Sequence, residues 1–191
     1  KPVRTAMVQH WREMLLAFVL YISVTMPFYL VSVYLLSFTE KKLGFPVKEA
    51  LSINTSTMLV MLVTVLASAV ISDKIGRKPV MLASLLGMCL TILPLFMWMG
   101  TQAYLPVWVS QVLIGSILGG YIGCIPAVLV EIFPTSVRYT GMAIAYNLSA
   151  ALFGGTAPMV CEWLISRTGN LYSVAYYVIV CNIMSLVALD R

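Results

Sequence analysis

Apolar runs about twenty residues long recur six times in this chain, separated by polar segments too short to fold by themselves. They are Met14 to Leu36, Ser52 to Ser72, Pro79 to Met99, Pro106 to Val130, Gly141 to Ile165 and Leu171 to Leu189. A helix rises about 1.5 Å per residue, so each run matches the roughly 30 Å of hydrocarbon in a bilayer and is predicted to cross it. Hydrophobic residues make up 61% of the chain and charged residues only 10%, where soluble proteins carry about 25%. Together these features exclude a water-soluble fold and predict an all-α membrane protein.

The second and third runs are joined by six residues, Asp73-Lys74-Ile75-Gly76-Arg77-Lys78. Four of the six ionise, and each charge would cost about 2.5 to 3.5 kcal/mol at a helix centre. The segment therefore lies outside the hydrocarbon, as a tight turn between two spans. A net charge of +5 could suggest nucleic acid in a soluble protein. Here Lys and Arg are confined to loops and ends, so they report orientation and no nucleic-acid partner is expected. Lys1, Arg4, Arg12, Lys74, Arg77, Lys78, Arg138 and Arg191 fall on the side of the two termini, against Lys41, Lys42, Lys48 and Arg167 opposite. That bias predicts both termini in the cytoplasm. The opening Lys1 to Glu13 places Val3, Met7, Trp11 and Met14 at helical spacing, the pattern of an amphipathic linker lying on lipid. It precedes a full-length span and has no small-residue cleavage site, so no signal peptide is expected.

A second polar segment, Glu131-Ile132-Phe133-Pro134-Thr135-Ser136-Val137-Arg138-Tyr139-Thr140-Gly141, separates the fourth and fifth runs. Pro134 stops a helix, Thr135 or Ser136 can cap the next, and Gly141 permits close helix packing. Glu131 and Arg138 bracket the loop and are expected to join a cytoplasmic charge cluster, with Glu131 pairing Arg77. Cys89, Cys124, Cys161 and Cys181 all lie inside apolar runs, at spacings that fit neither a metal site nor a disulfide framework. No phosphate-binding Gly-rich loop, GxSxG or HExxH occurs, so no cofactor, metal or enzymatic activity is expected.

The pattern Asp, basic, any residue, Gly, basic, basic, placed between the second and third spans, resembles the signature loop of the major facilitator superfamily. Ala69 stands where that signature usually begins with Gly. The Glu131 to Gly141 loop resembles its counterpart in facilitator C-terminal halves. Within the superfamily, His10-Trp11-Arg12, Arg138-Tyr139-Thr140-Gly141 with Ala145-Tyr146-Asn147-Leu148-Ser149, and Phe153-Gly154-Gly155-Thr156-Ala157-Pro158 resemble the metabolite:proton symporters, including the proline/betaine carriers. The resemblance implies a six-helix half of a major facilitator fold, a 3+3 inverted repeat spanning 14–191. The chain is accordingly expected to be the C-terminal part of a longer carrier in a bacterial inner membrane, partnered by an N-terminal six-helix half.

It also implies symport of a proton with a small osmolyte by alternating access, the alternatives being an organic-acid symporter or, as another class, a membrane sensor that moves nothing. Asp73, Lys74, Gly76, Arg77 and Lys78 would form the gate, with Asp73 facing a helix N-terminus of the missing half, where a carboxylate is stabilised. The first and fourth spans would line the solute path. On them Thr25, Tyr29 and Ser32 flank Pro27, and Gln111, Ser116 and Tyr121 are the polar groups. Thr25, Tyr29, Gln111 and Tyr121 are the expected solute contacts, because aromatic and hydroxyl groups suit a zwitterion or quaternary ammonium. Glu162, near the outer end of the fifth span, is a possible group on the solute path. The carboxylates that couple the proton are expected in the other half.

Overall fold

A computed structural model of the chain describes residues 9–190. Six helices account for almost all of them, with no strand among the described residues: α1 (Trp11–Lys41), α2 (Val47–Ile75), α3 (Arg77–Met99), α4 (Tyr104–Ile132), α5 (Arg138–Thr168) and α6 (Ser173–Leu189). The first five are long and apolar enough to cross a membrane; α6 is equally apolar and 17 residues long. Most helices run past the predicted spans, because hydropathy marks only the hydrocarbon crossing while backbone hydrogen bonding continues to the next breaker. Pro46 starts α2, Gly76 ends it, and Gly169 closes α5 in the left-handed conformation. The predicted surface segment 1–13 lies mostly outside the described residues, and Trp11 to Glu13 form the first turn of α1.

Three crossings carry the chain from one face of the bundle to the other, so α1–α3 and α4–α6 run in opposite senses. The packing follows from that inversion. Helix α2 packs on α4 as α5 packs on α1; α3 lies against α4 as α6 lies against α1; and α3 meets α6. Exchanging the two triplets leaves this set of contacts unchanged, the hallmark of an inverted three-plus-three repeat.

Small residues set how closely the two strongest pairs approach. Gly115, Gly119 and Gly123 recur every fourth residue along α4 and face α2. A Cβ on Gly115 would stand 2.8 Å from Thr57 Cγ2, one on Gly119 would stand 2.9 Å from the Met61 carbonyl oxygen, and one on Gly123 would stand 3.1 Å from the Ala69 nitrogen. The Ala69 that departs from the family signature thus has its backbone against a glycine. On α5 the buried stripe is Gly141, Ala145, Ser149 and Gly154. Its last step is five residues rather than four because Ala150–Gly154 form a π turn, closed by Gly155 N–H donating to the Ala150 carbonyl at 2.7 Å. The extra residue keeps Gly154 in line with Ser149, where its missing side chain admits the Tyr29 ring.

Polar ties converge on α1. Ser23 donates to Ser185 Oγ (2.8 Å), which donates to the Val19 carbonyl (2.7 Å), joining α1 to α6. Tyr121 Oη on α4 donates to the Leu20 carbonyl (3.0 Å), and Asn54 on α2 donates to the Val31 carbonyl (2.9 Å). That carbonyl belongs to a second π turn, Leu30–Tyr34, just after Pro27. Proline removes a donor and the π turn misaligns the ladder, so α1 is locally short of internal hydrogen bonds and α2 supplies one. Replacing Gly119 with Leu is expected to overpack the α2–α4 seam by about 1 to 3 kcal/mol. Denaturant unfolding in detergent micelles checks this, and an unchanged midpoint would show that the seam is looser than described.

Candidate functional site

Helices α2 and α3 are joined through one residue. Gly76 has φ +94° and ψ 153°, a conformation open essentially to glycine alone, which is the physical reason for a glycine in the middle of the hexapeptide. The tight reversal throws Asp73, Arg77 and Lys78 to one face of the bundle. There a cavity of about 520 Å³ opens, walled by Asp73, Arg77, Lys78 and Glu131 over a floor of Met81 and Val128. Arg77 Nη1 pairs with Glu131 Oε1, tying the start of α3 to the end of α4 as the sequence predicts. Lys78 Nζ lies 3.9 Å from Asp190 Oδ1 at the end of α6. Asp73 and Lys74 are exposed, and neither has an ion pair among the described residues.

Arg138 takes a different role from the expected cluster. Its Nε donates to the Phe133 carbonyl (3.2 Å) and closes the loop between α4 and α5. Phe133 is extended, as a residue before proline must be, and its ring packs over Gly141. Val137 occupies the N-cap position of α5 without a side-chain cap, so neither Thr135 nor Ser136 caps the helix. Arg138 does the work of holding the loop.

At mid-depth the four expected solute contacts divide. Thr25 is buried, shares a 2.8 Å hydrogen bond with the Ser149 hydroxyl and donates to the Tyr21 carbonyl. Tyr29 is half-buried against Gly154. Gln111 is buried and donates to Thr39 Oγ1 (2.7 Å), and the buried Tyr121 spends its hydroxyl on Leu20. Three of the four, Thr25, Gln111 and Tyr121, are therefore buried in helix contacts, and Tyr29 alone stays half-exposed. What the sequence reading left out is the open stripe of α1. Thr25 and Tyr29 turn to α5, Ser23 to α6 and Leu20 to α4, which leaves Tyr21, Val24 and Phe28, at helical spacing, on the remaining side. Tyr21 meets Tyr146 of α5 edge to face, with centroids 5.2 Å apart and planes at 68°.

At the opposite face Lys42 Nζ, just past α1, bonds Glu162 Oε2 of α5 at 2.9 Å. The Tyr34 hydroxyl, on the same side of α1, is buried without a hydrogen-bond partner among the described residues. Glu162 thus ties helix ends together here as Glu131 does at the hairpin face. Their sequence signal was a lone carboxylate near the end of an apolar run.

The family described as Major Facilitator Superfamily matches residues 14–189. A glycine betaine/proline/ectoine/pipecolic acid transporter of Dickeya dadantii is 28% identical over 177 residues, 93% of this chain and 35% of the relative. An ectoine/proline transporter of Corynebacterium glutamicum is 28% identical over 180 residues, 94% of this chain and 36% of the relative. The chain spans a little over a third of the length of these relatives.

Both hairpin-face ion pairs are solvent-accessible, and such pairs contribute about 0.2 to 1 kcal/mol. Glu131→Ala and Asp190→Ala are each expected to leave the unfolding free energy in micelles within about 1 kcal/mol of the parent. A much larger loss would show that the pairs hold the bundle together rather than adjust one face of it.

Proposed function

The chain belongs to the major facilitator superfamily, and on that premise we propose that it forms the C-terminal half of a proton-coupled symporter that imports a small osmolyte of the proline/betaine type by alternating access. It is a multi-pass integral membrane protein whose relatives are named as transporters. In this reading the membrane is a bacterial inner membrane and the hairpin face is cytoplasmic, in keeping with the bias of Lys and Arg toward it. An N-terminal six-helix half would complete the solute path, and lipid would cover the remaining apolar surface.

The observation that carries the reading is the construction of the hairpin face. Its charges are fixed in place by Gly76 yet tied only by exposed ion pairs, while Asp73 is left free of any among the described residues. Ties of this strength can be exchanged within a transport cycle at little cost, whereas the glycine-seamed core moves as one body. Asp73 then docks on the other half when the cytoplasmic side closes, with Lys74, Gly76, Arg77 and Lys78 shaping the contact and Glu131 and Arg138 steadying the loop beside it. Thr25, Tyr29, Gln111 and Tyr121 frame the solute path, the last two by fixing α4 against α1. The π turn beyond Pro27 gives α1 a place to bend around a bound solute. The group that binds the coupling proton belongs, in this reading, to the other half.

The test is uptake of radiolabelled proline and glycine betaine by the full-length carrier in proteoliposomes. Accumulation that collapses with a protonophore supports symport, and binding without flux contradicts it. Asp73→Asn is expected to lower uptake on the order of tenfold, equivalent to about 1.4 kcal/mol in a conformational equilibrium, with unchanged membrane insertion. Full activity in that variant would remove the gating role.

A further inference from the structure

Among the faces that the bundle leaves open at mid-depth, one is aromatic and uncharged. On α1 that face begins at Tyr21, passes the half-exposed Val24 and reaches Phe28, which is 38% exposed. On α5 Tyr146 stands beside it, 46% exposed, its ring edge to face with Tyr21 at 5.2 Å. Tyr21 lies ten residues into α1 and Tyr146 eight residues into α5, about 15 Å and 12 Å along the helix axes. Phe28 is two turns further, about 10 Å from Tyr21. Both helices are 31 residues long, so these positions fall within the hydrocarbon thickness, deeper than the usual belt of interfacial tyrosines.

No carboxylate from this half reaches that level. Glu13 is two turns below Tyr21, near the hairpin face and beside His10, and Glu162 is bonded to Lys42 near the opposite face. A cation brought to Tyr21 and Tyr146 therefore meets π electrons and no carboxylate of this half, in surroundings poor in water, where cation–π attraction is at its strongest. A quaternary ammonium suits this better than a primary or secondary amine. It has no N–H groups to leave unsatisfied, and its methyl groups pack on ring faces. The Ser149–Thr25 bond and the Gly154–Tyr29 contact hold α5 on α1 just beyond the two rings, so their separation is set by the fold.

Resting on the transport reading above, we propose that Tyr21 and Tyr146, with Phe28 above them, form a cation–π subsite that selects solutes bearing a quaternary ammonium over those bearing an N–H ammonium.

The experiment compares glycine betaine and proline uptake by the full-length carrier in proteoliposomes, with tetramethylammonium as a competitor of proline. Tyr146→Ala and Tyr21→Ala are expected to lower the betaine-to-proline ratio of kcat/KM roughly tenfold and to abolish inhibition by tetramethylammonium. Tyr146→Phe, which keeps the ring and loses the hydroxyl, should stay within about threefold of the parent on both counts. Equal loss of both solutes in the alanine variants, or a phenylalanine variant that behaves like alanine, would reduce the rings to packing and overturn the subsite. Proline uptake by the parent carrier that tetramethylammonium leaves untouched overturns the subsite and spares the transport reading. A parent carrier that moves neither solute overturns both.

Discussion

Hydrocarbon solvates neither charge nor an unpaired peptide group, and the architecture of this chain follows from that one constraint. Charges are driven to the two faces, where Arg77 meets Glu131 at one and Lys42 meets Glu162 at the other. Between the faces every segment must keep its own hydrogen-bond ladder, so the chain crosses as helices. Where the ladder weakens, a neighbour compensates. The π turn of α1 receives Asn54 at Val31, while Ser23, Thr25 and Leu20 bind α6, α5 and α4 at the level of Pro27 or below it. Helix α1 is consequently an interrupted helix that is also heavily tied to its neighbours.

Apolar contact alone does not drive helices together in lipid, because lipid tails are as apolar as leucine. Close approach has to come from shape. The glycine stripe of α4 and the small-residue stripe of α5 provide it on two pairs that the inverted repeat makes equivalent, α2 with α4 and α5 with α1. The π turn Ala150–Gly154 belongs to the same logic, since without its extra residue Gly154 would rotate away from Tyr29. Packing of this kind joins the six helices through close seams while their ends stay weakly tied, which suits the two-body rocking proposed above.

The spans and their order were legible in the sequence because length and hydropathy bear directly on the cost of crossing a bilayer. Gly76 and the Arg77–Glu131 pair were legible too, since a charged hexapeptide at a span boundary leaves few geometries open. The rotation of each helix about its axis was not. Gln111 and Tyr121 look like cavity residues by polarity, yet both point into helix contacts, and only the set of partners around α1 reveals that Tyr21 stays half-exposed beside Tyr146 with Phe28 exposed above it. In a run that is apolar on every side, periodicity carries little information about which side is buried. The π turns, each shifting register by one residue, left no sequence signal beyond the nearby Pro27 and Gly154.

The proposal that the polar hairpin is expelled to the cytoplasmic face of a six-helix membrane bundle is tested most directly by topology labelling. A cysteine at Lys74, in a background with Cys89, Cys124, Cys161 and Cys181 replaced, would be treated with a membrane-impermeant maleimide in intact cells and in inverted vesicles. The account predicts labelling in inverted vesicles and none in intact cells. Labelling from outside intact cells would contradict it.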